Sequence, residues 1–106
     1  MDKKKNLKVV ETFKKAISKK LDIRKLILFG SRARGDFRED SDFDLIVVSD
    51  DFESAKGYKR APELYRAWDS DNYSVDFVCL TSEEFEKIKG NRQTIIGLAV
   101  EEGIEI

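Results

Sequence analysis

The sequence predicts a small α/β or α+β domain, with a sheet of three or four strands and helices on at least one side. Three observations lead there. Short apolar runs at 26–29, 43–48 and 75–80 have strand length and are bounded by polar stretches. Segments with helical periodicity lie at both ends of the chain. The 106 residues suffice for one domain with one modest core, and leave no room for a second, substrate-binding domain.

In order along the chain, residues 3–21 read as an amphipathic helix, because Leu7, Val10, Phe13, Ile17 and Leu21 recur at helical spacing with lysines on the other face. Leu26-Ile27-Leu28-Phe29 is wholly apolar and ends at Gly30, as a buried strand would. Gly30 to Ser41 is polar and reads as a loop with room for one helical turn. Phe43 to Val48 reads as a second strand, with Phe43, Leu45 and Val47 on one face and Asp42, Asp44, Ile46 and Val48 on the other. Pro62 can open a helix that places Leu64, Tyr65 and Trp68 on one side, as core or partner contacts. Val75 to Leu80 is the third strand. Thr81-Ser82-Glu83-Glu84 is a capping box, so a helix begins near Ser82 and carries Phe85 and Ile88 inward. A last helix is expected over 91–102, stopped by Gly103, and Ile104 to Ile106 can add an edge strand. Its apolar run, Ile95 to Val100, is either core or a patch for a partner or second copy.

Composition excludes several function classes. Charged residues make up 39% of the chain, yet they nearly cancel to a net charge of −1, so no global basic field draws nucleic acid. There is no histidine and only one cysteine, Cys79, which removes serine-triad and Cys/His chemistry, disulfides within the chain and ordinary zinc sites. Cys79 itself reads as inert core. No apolar run approaches the roughly 20 residues that span a bilayer, and the basic start at Met1 to Lys5 has no apolar stretch behind it, unlike a signal peptide. A cytoplasmic protein without a membrane role is expected.

Aspartate is disfavoured in strands, yet Asp42, Asp44 and Asp76 lie in or beside the most apolar ones. Asp42 and Asp44 share a face, and Asp76 joins them if its strand pairs next to 43–48. Three close carboxylates repel one another, and a divalent cation resolves the conflict. Oxygen ligands without His or Cys favour Mg²⁺, or Mn²⁺, over zinc. A lone strand-edge aspartate would be an ordinary solvated turn residue; the three together argue otherwise. Upstream, Gly30 lets the backbone approach a phosphate, the Ser31 hydroxyl and amides can bond its oxygens, and Arg32 and Arg34 offer cationic forks. The spacing Gly30-x-x-x-x-Gly35 imitates half a P-loop, but Asp36-Phe37 follows instead of Lys-Ser/Thr, so that reading fails.

Gly30-Ser31, ten intervening residues, then Asp42-Phe43-Asp44 resembles the G-S-x10-D-x-D motif of the DNA polymerase β-like nucleotidyltransferase superfamily. Ser31-Arg32-Ala33-Arg34-Gly35 and Ser41-Asp42-Phe43-Asp44-Leu45 are most similar to its minimal (MNT) branch, whose small proteins match nearly the whole length. The resemblance implies a small mixed sheet with flanking helices. It implies that Gly30 and Ser31 hold the triphosphate of ATP, with Arg34 as a further phosphate contact. It makes Asp42 and Asp44 ligands of Mg²⁺, and Asp76 the third carboxylate, which takes the acceptor's proton or shares the metal. Many MNT proteins are encoded beside a HEPN-domain toxin and act as antitoxins, some by moving AMP from ATP to a toxin tyrosine.

Three functions are therefore expected, in order. The first is adenylylation of a HEPN toxin, favoured because a protein acceptor can complete the cleft of so short a chain. The second is a non-catalytic antitoxin that neutralises its toxin by binding; a homo- or hetero-oligomer is compatible with each function. The third is nucleotidyl transfer to a small molecule such as an aminoglycoside. Direct contact with nucleic acid is not expected.

Overall fold

The computed structural model describes residues 3–55, 57–68 and 73–106; the start at Met1-Asp2 lies outside the described residues. Helix α1 (Lys3–Ile17) forms on the expected stripe, with Val10, Phe13 and Ile17 all buried. It ends before Leu21. The amides of Lys20 and Leu21 both turn back to the Ile17 carbonyl at 2.9 Å, so Leu21 reaches the core from a turn rather than from the helix.

Strands β1 (Lys25–Phe29), β2 (Phe43–Val48), β3 (Val75–Leu80) and β4 (Ile104–Glu105) form one mixed sheet in the order β3-β2-β1-β4. β1 runs antiparallel to both β2 and β4, whereas β2 and β3 are parallel. A parallel pair needs a crossover. It is supplied by a 3₁₀ turn (Asp50–Ser54) and the short helices α3 (Gly57–Arg60) and α4 (Pro62–Ala67), counting as α2 the single turn Ser31–Arg34. The 3₁₀ turn and α3 carry no strong periodic pattern, and the sequence reading did not anticipate them.

Helices cover both sides of the sheet. On one side Leu26, Leu28, Phe43, Leu45 and Val47 meet α1 and Leu64 of α4; on the other Ile27, Ile46, Val48 and Leu80 meet Phe85 of α5 (Ser82–Ile88) and Ala99 of α6 (Ile95–Glu102). This explains why β2 is apolar on both alternations beyond Asp44: a central strand is buried on both faces. The capping box of α5 forms as expected, with Thr81 Oγ1 accepting from the Glu84 amide and Glu84 Oε1 accepting from the Thr81 amide.

α6 starts four residues later than the expected 91. Asn91–Thr94 make a turn in which the Asn91 carbonyl accepts from both the amide and the hydroxyl of Thr94, at 3.1 and 2.8 Å, and Thr94 becomes the N-cap. Gly97 is required there, since a Cβ would stand 1.9 Å from that same carbonyl oxygen. The apolar run divides between both expectations: Gly97 and Ala99 are buried, Ile96 and Val100 pack on the core, and Ile95 and Leu98 face outward. Trp68 packs against the core, and Tyr65 lies at its edge against Phe77.

Cys79 is half-buried in β3, and burial pushes its thiol up to about 11. Near neutral pH its alkylation in the native protein should be at least about a hundredfold slower than that of an exposed cysteine. Comparing iodoacetamide labelling with and without urea checks this; equal rates would contradict an inert core thiol.

Candidate active site

The sheet register builds the site. Phe29, the last residue of β1, is the partner of Asp44 on β2, and Asp44 is in turn the partner of Asp76 on β3. The chain then leaves β1 through Gly30, directly beside Asp44. Gly30 has φ +72° and ψ −158°, a conformation essentially restricted to glycine. A Cβ on it would lie 2.4 Å from Asp44 Oδ2. Ser31 follows as the first residue of α2, and the Gly30 carbonyl accepts from the Ala33 and Arg34 amides at 3.1 Å each.

The three aspartates differ in setting. Asp44 is half-buried, while Asp42 and Asp76 are exposed. Burial raises the Asp44 pKa above the ordinary carboxylate value; the charges of Asp76 and Asp42 raise it further, and Arg34 opposes them. Asp44 therefore feels both other carboxylates, as the strand alternation predicts. Asp42 lies just outside β2 and accepts a hydrogen bond from the Ser74 hydroxyl, while the Phe43 amide donates to the Ser74 carbonyl at 2.9 Å. Among the described residues, no three carboxylate, histidine or cysteine side chains are gathered into a ready-made metal cage. The donor set still suits a hard divalent cation: its oxygens come from adjacent strands and from Asp42, and their mutual repulsion at Asp44 is what a cation relieves.

Arg34 is exposed and pairs with Asp36, Nε to Oδ1 3.3 Å, at the mouth of the Gly30-Ser31 turn. Arg32 behaves differently from the phosphate fork its sequence position suggests. Its side chain is fully buried. Nε and Nη2 donate to the Ser41 carbonyl at 3.1 and 2.8 Å, Nη2 also to the Glu39 carbonyl at 3.0 Å, and Nη1 to Asn6 Oδ1 at 3.1 Å. Its guanidinium lies 4.5, 4.9 and 5.1 Å from the ring centroids of Phe43, Phe37 and Tyr73. Arg32 thus braces the loop that delivers Asp42. Asn6 and Ser74 were not singled out from the sequence. A polar Asn6 in register with the Val10 and Ile17 stripe is a readable signal for the first; a lone serine before a strand gives none for the second.

The comparisons with known proteins agree with this geometry. The profile of the family described as nucleotidyltransferase domain matches residues 10–104. The chain belongs to the nucleotidyltransferase domain family. Its backbone is similar to the crystal structure of a putative nucleotidyltransferase from Sulfolobus solfataricus, with a TM-score of 0.65, 25% identity, and coverage of 82% of this chain and 77% of that one. It is also 47% identical over 45 residues to the putative protein adenylyltransferase MJ0604 of Methanocaldococcus jannaschii. That match covers 41% of this chain, and spans less than half the length of the relative, 45%. In this nucleotidyltransferase domain no helix among the described residues is long and apolar enough to cross a membrane.

Replacing Gly30 by alanine tests the turn. Backbone strain should cost ~1–3 kcal/mol, and the new methyl would push the Asp44 carboxylate aside. A lower melting temperature with at least a tenfold loss of nucleotidyl transfer is expected; unchanged activity would show that Asp44 has no fixed place.

Proposed function

We propose that this nucleotidyltransferase domain transfers AMP from ATP to a tyrosine hydroxyl of a HEPN-family toxin, and so acts as its antitoxin. The observation that carries the transferase reading is the cross-strand pair Asp44–Asp76 beside the Gly30-Ser31 turn. The protein acceptor is supported by the name of the Methanocaldococcus relative, and the toxin by the MNT-like motif text.

In the proposed reaction the acceptor oxygen forms a bond to the α-phosphorus, the bond from that phosphorus to the pyrophosphate oxygen breaks, and the acceptor proton passes to Asp76. Gly30 and Ser31 hold the triphosphate against the turn, and Arg34 at its mouth pairs with a phosphate oxygen. Asp42, Asp44 and Asp76 would hold Mg²⁺, which when bound neutralises triphosphate charge and lowers the pKa of the attacking hydroxyl. The rest is positioning and electrostatics, so a chain without histidine can do it.

The test is label transfer from α-labelled ATP to a co-expressed HEPN partner, read with a mass gain of whole AMP units. No transfer with ATP, GTP, CTP or UTP, in Mg²⁺ or Mn²⁺, would overturn the transferase reading. If a chain carrying Asp42→Asn and Asp44→Asn still neutralises the toxin fully, neutralisation proceeds by binding.

A further inference from the structure

Charge in this chain is segregated along the sequence. Residues 3–20 contain eight lysines and a single acid, Glu11, while residues 21–106 contain nineteen acids against twelve bases. The near-zero net charge conceals this division. Lys4, Lys5 and Lys8 are exposed on α1, and Lys4 and Lys8 form no ion pair among the described residues. They wall two adjoining grooves. One, of about 490 Å³, is lined by Lys4, Lys5, Leu7, Lys8 and Glu11. The other runs along Lys5, Lys8, Val9 and Thr12 to Tyr73.

The second groove reaches Tyr73, the chain neighbour of a residue bonded to Asp42. Tyr73 precedes Ser74, whose hydroxyl donates to Asp42, and its ring lies on the Arg32 guanidinium. The same α1 turn carries Asn6, which binds Arg32 in the helix that follows Gly30.

From this placement we infer that the α1 groove docks an acidic segment of the acceptor protein, with glutamates or aspartates flanking the hydroxyl to be modified. The inference rests on the transferase reading for what happens to that hydroxyl, and on the groove alone for binding. A short acidic peptide suits the surface better than nucleic acid does. The groove mixes lysines with apolar Leu7 and Val9, and its cations are lysines rather than the planar forks that grip phosphates. A long polyanion leaving the α1 face would meet the acidic remainder of the chain.

The probe is a fluorescein-labelled peptide with one tyrosine between runs of glutamate. Its binding is followed by anisotropy at low salt without nucleotide or metal, so the result stands apart from catalysis. Saturable binding that weakens with salt is expected. The triple variant Lys4→Glu, Lys5→Glu, Lys8→Glu should weaken it by about tenfold or more. An equal change of charge at the far end of α1 and in the turn that follows it, Lys15→Glu, Lys19→Glu, Lys20→Glu, should leave it within about twofold. Circular dichroism confirms that both variants fold. Equal losses in both variants, no binding by the native chain, or tighter binding of an oligouridylate of matched charge would each overturn the inference. A peptide that binds through the groove yet receives no label from MgATP would leave the docking surface standing and count against the transferase reading instead.

Discussion

Asp44→Asn should abolish measurable nucleotidyl transfer while making the metal-free protein more stable. Asp44 is the central member of the carboxylate row, paired across the strands with Asp76 and within reach of the Asp42 charge. In the proposed reaction, losing a carboxylate that would hold the cation at the reacting phosphate should reduce transfer by about three orders of magnitude. The stability change has the opposite sign. Burial and the two neighbouring carboxylates raise the folded pKa of Asp44 above its unfolded value, so the folded state binds its proton more tightly. Its ionisation therefore opposes folding: the penalty is present above the folded pKa and is relieved as pH falls through it. Asparagine keeps the shape and removes that penalty. Thermal melts of the two proteins in chelator should separate at neutral pH and converge as acid protonates Asp44. An Asp44→Asn protein that is inactive and also less stable would show that the carboxylate holds the fold together, contrary to the crowding described above.

Arg32→Ala should have the largest effect on stability of any single change near the site. It strips donors from the Ser41 and Glu39 carbonyls and from Asn6, and empties a fully buried volume among Phe37, Phe43 and Tyr73. Unmet carbonyls and an unfilled cavity together should cost about 3 kcal/mol or more, a large share of the ~5–15 kcal/mol that holds a domain folded. Arg32→Lys should recover only part of this, because an ammonium cannot reproduce the fork. Urea midpoints for the three proteins check the order. Were Arg32 a phosphate contact instead, Arg32→Ala would leave the midpoint unchanged and weaken only ATP binding.

These two residues also mark what could and could not be read in the chain. Asp44 was legible because its placement follows from a period of two along an apolar strand, and strand pairing then brings in Asp76. A three- or four-stranded sheet with helices against it was legible for the same reason, since periodicity records which faces are buried; that the sheet is mixed followed from the family resemblance alone. Arg32 was misread because its role depends on residues far along the chain, Asn6 before it and Tyr73 after it, and local spacing carries no record of such contacts. The late start of α6 was missed on similar grounds. Asn91 to Thr94 directly precedes the apolar helical run, but the Thr94 hydroxyl donates to the Asn91 carbonyl and accepts from the Gly97 amide, which caps a shorter helix.

The lone tryptophan gives the fold an optical consequence. Trp68 packs its ring against Phe13, Phe43 and Phe77, and its indole N–H donates to the Tyr73 carbonyl at 2.9 Å. Tyr73 leads directly into Ser74 and its bond to Asp42. The single indole of the chain is thus tied to the segment that bonds Asp42, so its emission should shift when that segment moves, without any attached dye.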